Sequence, residues 1–374
     1  MQKLPTPCHI LDMDRLNENL ERVRLLKQAA GCRILLAVKG FSAPYFFAPM
    51  QSVLDGVSAS GPYEARLGRN EFGGYVQTYS PAFREEDIAE IAKNSDAVIF
   101  NSVRQLDLFQ DRVREAGCMC GVRINPMHSG VWKQDADPCG AYSRLGIPMD
   151  EVTPELLDRV DGLHFHAMCE QFTDALEELG DRIVSRLGAW IRERPQIKWV
   201  NLGGGQLIGR REYDIDAAAR ILSALRENLR ADIILEPCEG IVTQCGSFAT
   251  RVCDIVRNQK ATAVLDASPV CHMPDAVFRG WRHDVRGELE DGQKGYGYFL
   301  SGPTCFAGDS FGFYTFPEPL HIGDVLYFED TAAYTWVKNN TFNGIPAPTV
   351  CAYSREAGLT VKKTFSYESY FDAL

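Results

Sequence analysis

The sequence predicts a (β/α)8 barrel followed by an all-β domain. Three observations predict it. Eight short apolar runs alternate with helical patterns over about 230 residues, the usual extent of such a barrel. The residues best suited to chemistry fall at the carboxyl ends of those runs. Past about residue 245 the helical periodicity fades, and β-rich runs broken by Gly, Pro, Asn and Asp take over.

Residues 11–29 carry apolar positions at helical spacing and stop near Gly31. The strand candidates of the barrel are residues 34–38, 56–59, 75–78, 97–100, 119–124, 163–166, 199–202 and 233–236. Between them, Ser60-Gly61-Pro62 opens a helix with Pro62 in its first turn, and Asn101-Ser102 opens one that runs to about residue 116. The longest helical patterns cover about 174–194 and 214–230, and residues 126–148 form a loop-like insertion rich in Asp, Pro and Gly. A doubly wound open sheet alternates in a similar way, so the count alone leaves both architectures open. The later β runs are 248–256, 261–266, 296–300, 325–328, 349–353 and 360–364. The expected division is therefore a barrel over 11–244 and a β domain over 245–374, with residues 1–10 (Pro5 and Pro7 among them) expected to join the second.

The chain has 374 residues, 45% of them hydrophobic and 24% charged, as in an ordinary globular protein with ample core. Its net charge of −11 and pI near 5.2 argue against a nucleic-acid or anionic-membrane partner. Twelve cysteines have irregular spacing, with no C-x-x-C pair and no zinc pattern. Met1-Gln2-Lys3-Leu4-Pro5 shows no secretory pattern, so a reducing cytoplasm with free thiols is expected. No apolar stretch reaches membrane-spanning length.

The strand ends carry the functional signal. Lys39 follows the first run, His166 closes the sixth, Gly203-Gly204-Gly205 follows the seventh and Glu236 closes the eighth. In a barrel all four lie at the active-site end. Singly, each has a plainer explanation: a snorkelling lysine, a satisfied core histidine, a turn, a surface carboxylate. Together they match the needs of pyridoxal phosphate. An amine bonds its aldehyde, glycines leave backbone N–H groups open to its phosphate, a carboxylate keeps its ring nitrogen protonated, and an imidazole lies against its ring.

Lys39 in A-V-K-G-F, His166 in H-F-H-A-M-C-E-Q, the N-L-G-G-G run, Glu236 in E-P-C-E and G-P-T-C-F-A-G-D at residues 302–309 together resemble the fold-type III, alanine-racemase-like decarboxylases. The segments A-S-G-P-Y-E-A-R-L-G, Y-S-P-A-F, F-N-S and C-H-M-P-D resemble its carboxynorspermidine and carboxyspermidine decarboxylase branch. The resemblance covers nearly the whole chain. It implies that Lys39 carries the cofactor, His166 stacks on it, Gly203, Gly204 and Gly205 cradle its phosphate with Tyr334, and Glu236 pairs with its ring nitrogen. It also implies that Cys305 reprotonates the α-carbon, in keeping with thiols being ready proton donors and acceptors near neutrality. A homodimer whose second subunit supplies the Cys305 loop is implied as well.

Two departures bear on the substrate. Ornithine- and diaminopimelate-type relatives place E-P-G and an arginine where this chain has Glu236-Pro237-Cys238-Glu239. Glu239 cannot bind phosphate but suits a cationic amine, and Asp275 and Asp309 are further carboxylates expected to bind a polyamine tail. Phe306 stands where ornithine-type enzymes have an acid, which disfavours ornithine. The expected reaction is decarboxylation of carboxynorspermidine or carboxyspermidine. Diaminopimelate decarboxylation and a non-catalytic cofactor-binding homologue are the alternatives. A metal-dependent amidohydrolase is a different class with His-x-His at a strand end, but His9, His128, His272, His283 and His321 lie away from the proposed strand ends.

Overall fold

The computed structural model describes residues 4–131 and 137–374; residues 132–136 of the 126–148 insertion lie outside the described residues. The chain forms two compact units, one of Glu18–Ile241 and one of Met1–Asn17 with Val242–Leu374. The first strand, β1 (Cys8–Asp12), belongs to the second of these.

The Glu18–Ile241 unit is a closed parallel barrel. Its strands are β2 (Arg33–Ala37), β3 (Gly56–Ala59), β4 (Tyr75–Tyr79), β5 (Ala97–Phe100), β6 (Met119–Asn125), β7 (Ile147–Pro148), β8 (Gly162–His164), β9 (Trp199–Asn201) and β10 (Asp232–Leu235). Eight of the nine close a ring in the order β2, β3, β4, β5, β6, β8, β9, β10, while the two-residue β7 pairs only with β6. All these pairings are parallel, so each strand is covered on both faces. That is why Ile34-Leu35-Leu36-Ala37 and Ala97-Val98-Ile99-Phe100 are apolar without alternation and fully buried.

Helices follow the strands as the patterns predict. Ser102 caps Val103–Glu115 by accepting from the Gln105 N–H, Asp214 caps Ile215–Leu229 by accepting from Ala217, and Pro62 opens Pro62–Leu67. In Thr173–Arg192 the buried positions Leu176, Leu179, Gly180, Ile183, Leu187 and Ile191 form one stripe. Gly180 weakens that helix by about 1 kcal/mol relative to alanine, yet a Cβ there would lie 2.9 Å from Leu225 Cδ1 of the neighbouring helix, so glycine permits the close packing.

The barrel interior is layered. Trp199 fills the floor, with Leu35, Ala97, Ile99 and Ile234 around it. Its indole fits because Gly121 and Gly162 have no side chain: a Cβ would come within 2.4 Å and 2.1 Å of the ring. Strand side chains alternate, so the residue two further along points inward one layer higher. That places Gln77 above Tyr75, Arg123 above Gly121, His164 above Gly162 and Asn201 above Trp199. The pairings Arg123↔His164 and His164↔Asn201 put three of these polar residues at one level.

The second unit is a mixed, mostly antiparallel sheet. It contains β1, β11 (Gly246–Asn258), β12 (Lys260–Leu265), β13 (Tyr296–Ser301), β14 (Ser310–Phe316), β15 (Val325–Glu329), β16 (Thr349–Ser354) and β17 (Gly358–Lys363). The long β11 pairs with β1 and β15 through its first half and with β12 through its second, and β1 also pairs in parallel with β16. Phe248, Leu300, Phe311, Tyr314 and Phe328 form much of its core. The strand β14 has no counterpart among the expected runs. Its Phe311, Tyr314 and Phe316 are buried in the core.

Among the described residues, no helix is long and apolar enough to cross a membrane.

Candidate active site

The turn after β2 presents Lys39. Val38 N–H donates to Ser58 across the barrel rim and Gly40 N–H donates back to Ala37, so the chain turns directly beneath the lysine. The side chain is exposed at the rim but surrounded by protein. Burial lowers the proton affinity of its amine; the Glu236 carboxylate opposes that shift, and the Arg123 cation adds to it.

Glu236 lies one residue past the end of β10 and is 7% exposed. Its Oε1 accepts from Asn201 Nδ2 at 2.6 Å, and its Oε2 lies 3.4 Å from His164 Nε2. Burial alone would push this carboxyl up. His164, Asn201 and Lys39 outweigh that and hold it below its ordinary value, so it is ionised at neutral pH. The same Asn201 Nδ2 also donates to Gln77 Oε1, and Asn201 Oδ1 accepts the Gly203 N–H at 2.8 Å. Glu236 N–H in turn donates to the Gly203 carbonyl at 2.9 Å. Carboxylate and glycine loop are thus tied together twice.

His166 does not close a strand as the sequence suggested. β8 ends at His164, and the Phe165 N–H makes one last cross-strand bond, to the carbonyl of Asn201 at the end of β9. The His166 imidazole accepts the Gly204 N–H at Nδ1, 3.0 Å away. Burial keeps it neutral, helped by Lys39, Arg123 and His164. The Gly203 and Gly204 N–H groups, expected to stand open, therefore have partners in Asn201 and His166. Glycine is needed at these positions for space: a Cβ on Gly204 would lie 2.4 Å from the Glu236 carbonyl oxygen, and one on Gly205 (φ +97°) 2.3 Å from the Met168 carbonyl oxygen. Glu239 is half-buried at the start of the one-turn helix Glu239–Val242, and the adjacent Cys238 is buried.

Sequence reasoning passed over the polar layer beneath these groups. His164 is buried with its ring stacked on Tyr79 at 5.3 Å. Arg123, 4% exposed, lies over the other ring partner: its guanidinium carbon is 4.7 Å from the Tyr79 centroid. The Tyr79 hydroxyl donates to Asn101 at 2.7 Å. The available signal was a polar residue inside an otherwise apolar parallel strand, as in Trp199-Val200-Asn201 and Gly162-Leu163-His164.

The sheet unit carries the remaining predicted residues. Cys305 is exposed on the loop between β13 and β14. Asp309, 3% exposed, closes that loop: Oδ1 accepts from Ser268 Oγ (2.7 Å) and Val270 N–H (3.2 Å), and Oδ2 from Thr304 Oγ1 (2.7 Å) and Thr304 N–H (3.2 Å). Four donors occupy this carboxylate, which the sequence put forward for the substrate tail, and tie it into the loop. Asn343 supports the other side, its Oδ1 accepting the Cys305 N–H at 3.2 Å. Asp275 is ion-paired to Lys338 at 2.5 Å, which neutralises the charge expected to meet a polyamine. The Lys338 ammonium also sits 5.2 Å from the centre of the Tyr334 ring, and Tyr334 takes a left-handed backbone (φ +59°).

The donor set of the barrel fits pyridoxal phosphate. It offers an amine of lowered proton affinity for an aldehyde, a buried ionised carboxylate for a ring nitrogen, a neutral imidazole beside glycine backbone for the ring and phosphate end. Among the described residues, no group of three or more His, Cys, Asp or Glu could hold a metal ion.

Comparison with known proteins agrees. Residues 20–332 match the family described as pyridoxal-dependent decarboxylase, C-terminal sheet domain. The carboxynorspermidine/carboxyspermidine decarboxylase of Campylobacter jejuni is 35% identical, over 99% of this chain and 98% of that one. The carboxyaminopropylagmatine decarboxylase of Synechocystis is also 35% identical, over 100% and 96%. The crystal structure of the Campylobacter jejuni carboxynorspermidine decarboxylase complexed with norspermidine matches all of both chains with a TM-score of 0.89 at 34% identity. A diaminopimelate decarboxylase structure from Helicobacter pylori, at 18% identity and a TM-score of 0.83, shares the fold. This chain belongs to the pyridoxal-dependent decarboxylases of the barrel-plus-sheet fold.

Proposed function

We propose that this enzyme removes the α-carboxylate of carboxynorspermidine or carboxyspermidine and releases norspermidine or spermidine. The observation that carries the proposal is the full-length likeness to a decarboxylase solved with norspermidine, joined to this chain's own Lys39–Glu236 arrangement.

When bound, pyridoxal phosphate supplies an aldehyde for the substrate amine and an electron-poor ring that accepts the electron pair left by departing CO2. Lys39 would hold the aldehyde. Its lowered proton affinity keeps a larger fraction of the amine uncharged and nucleophilic than in an exposed lysine. Glu236, ionised and buried, would keep a proton on the ring nitrogen. His166, neutral, would lie against the ring without adding positive charge beside it. Gly203, Gly204 and Gly205 with Tyr334 would face the phosphate. Cys305 returns a proton to the α-carbon from its thiol, and the loop pinned by Asp309 and Asn343 holds that thiol in place. Glu239 meets a cationic amine of the substrate tail. The active unit is a cytoplasmic homodimer in which each subunit's Cys305 loop completes its partner's site.

A second reading is favoured by the equal identity to the Synechocystis enzyme: decarboxylation of carboxyaminopropylagmatine, whose tail ends in a guanidinium group. CO2 release by the purified, cofactor-loaded enzyme decides between them when carboxynorspermidine, carboxyspermidine, carboxyaminopropylagmatine and meso-diaminopimelate are offered in parallel. The highest kcat/KM is expected for one of the first two. Preference for diaminopimelate would remove the proposal, and preference for carboxyaminopropylagmatine would replace it with the second reading.

A further inference from the structure

We infer that His164 and Asn201 are positioning residues that act through Glu236, aiming its carboxylate and keeping it ionised for a cationic ring nitrogen. The inference rests on the proposed role of Glu236 at that nitrogen.

A carboxylate with 7% exposure needs donors to compensate for lost water. Glu236 has two side-chain donors, one per oxygen: Asn201 Nδ2 at 2.6 Å and His164 Nε2 at 3.4 Å. The His164 contact requires the proton to sit on Nε2. Its Nδ1 is buried and has no hydrogen-bond partner among the described residues. A protonated ring would leave an N–H donor unmet there, so the geometry selects the neutral Nε2–H tautomer. Burial and the nearby Arg123 and Lys39 cations push the ring the same way. His164 is therefore a neutral donor: it supports the Glu236 anion without supplying a full charge that would compete with a cationic ring nitrogen. Its ring is fixed by stacking on Tyr79.

Asn201 does a second task. Its amide joins the Glu236 carboxylate to the Gly203 N–H. A rigid ligand with a ring nitrogen at one end and a phosphate at the other needs a fixed distance between those two supports, and one side chain sets it here.

The test follows the visible absorbance of the bound cofactor against pH, together with kcat and KM. His164→Phe keeps a ring against Tyr79 and removes the donor; Asn201→Ser removes the other donor. The remaining charged or titratable groups bearing on the pair are Lys39, His166, Arg123 and the Tyr79 phenol. They are unchanged in both variants. Each variant is expected to move the midpoint of the Glu236-linked spectral change upward by about one pH unit, a tenfold change in proton affinity, with kcat falling more than KM rises. His164→Gln, which presents an amide N–H, is expected to restore the wild-type midpoint. Glu236→Gln is the control for the underlying reading. If it changes the spectrum while His164→Phe and Asn201→Ser both titrate as wild type, the inference fails and the role of Glu236 stands. If Glu236→Gln leaves the spectrum unaltered, the role of Glu236 itself fails, and the inference with it.

Discussion

In the barrel, the groups beneath the exposed Lys39 hold one another: the buried Glu236 by Asn201 and His164, Gly204 by His166, Gly203 by Asn201. In the sheet unit the arrangement is inverted. The Cys305 thiol is exposed, and its loop is held by backbone N–H and hydroxyl donors gathered on the buried Asp309 carboxylate that closes it, with Asn343 accepting from Cys305. The difference separates two kinds of damage. On the proposed roles, a change in the barrel is expected to alter charge and cofactor binding together, because the same side chains would serve both. A change in the sheet loop is expected to move the proposed proton donor and leave the proposed cofactor supports in the barrel intact.

The sharpest form of that contrast pairs Lys39→Ala with Cys305→Ala. Lys39→Ala is expected to abolish the borohydride-reducible adduct and lower turnover by about 10⁴-fold or more. Cys305→Ala is expected to keep the adduct and lose about 10²- to 10⁴-fold in kcat, the range of a general acid. Spectra before and after borohydride, with peptide mapping and CO2 release, read both. Undiminished turnover in Cys305→Ala would remove that thiol from the mechanism.

Glycine substitutions repeat the comparison on backbone. Gly204→Ala puts a Cβ 2.4 Å from the Glu236 carbonyl oxygen, and Gly302→Ala puts one 2.1 Å from Asp309 Oδ2. Each is expected to cost about 1–3 kcal/mol of stability through overpacking. Only Gly204→Ala is expected to weaken cofactor binding; Gly302→Ala is expected to lower kcat at unchanged cofactor affinity. Thermal melts and cofactor titration of the two variants give the answer, and equal loss of affinity in both would break the contrast. Asp309→Asn is milder. It keeps an acceptor for Ser268 or Thr304 but presents an NH2 to the remaining donors, for about 1–3 kcal/mol. Alkylation of Cys305 in this variant should change in rate while the cofactor spectrum stays constant.

Which parts were legible in the sequence follows from the same physics. The eight barrel strands were readable because parallel strands are covered on both faces and so appear as mostly apolar runs. Lys39, Gly203 and Glu236 were readable because they interrupt those runs at their ends. His164, Asn201, Gln77 and Arg123 were not, since each lies inside a strand, where a lone polar residue looks like an exception until the two-residue alternation places it above a floor residue such as Trp199 or Gly162. In the sequence Asp309 reads as one more carboxylate for a polyamine tail. The four donors that surround it come from residues far along the chain or from within a loop that the sequence does not mark. The strand β14 was hidden by Gly312, which lies in its middle with φ +113°.

The finest test of the barrel half uses Lys39 without its cofactor. Burial, with Arg123, lowers the proton affinity of this amine, while Glu236 and Glu64 raise it, and the balance is a net lowering. The rate of imine formation between the apoenzyme and pyridoxal, which lacks the phosphate, should therefore reach half its maximum below 10.5, the value of an ordinary lysine. Glu236→Gln removes the anion that opposes the shift and should move that midpoint lower still. The sign for stability is opposite to that of a paired lysine. The folded chain disfavours the charged amine, so the cost is absent above 10.5, grows as pH falls toward the folded-state value, and is fully present below it. Lys39→Met, similar in length and uncharged, should then raise the Tm of the apoenzyme slightly at pH 7 and leave it unchanged near pH 11. A Lys39→Met apoenzyme less stable than wild type at pH 7 would mean that the amine is better accommodated than its burial implies.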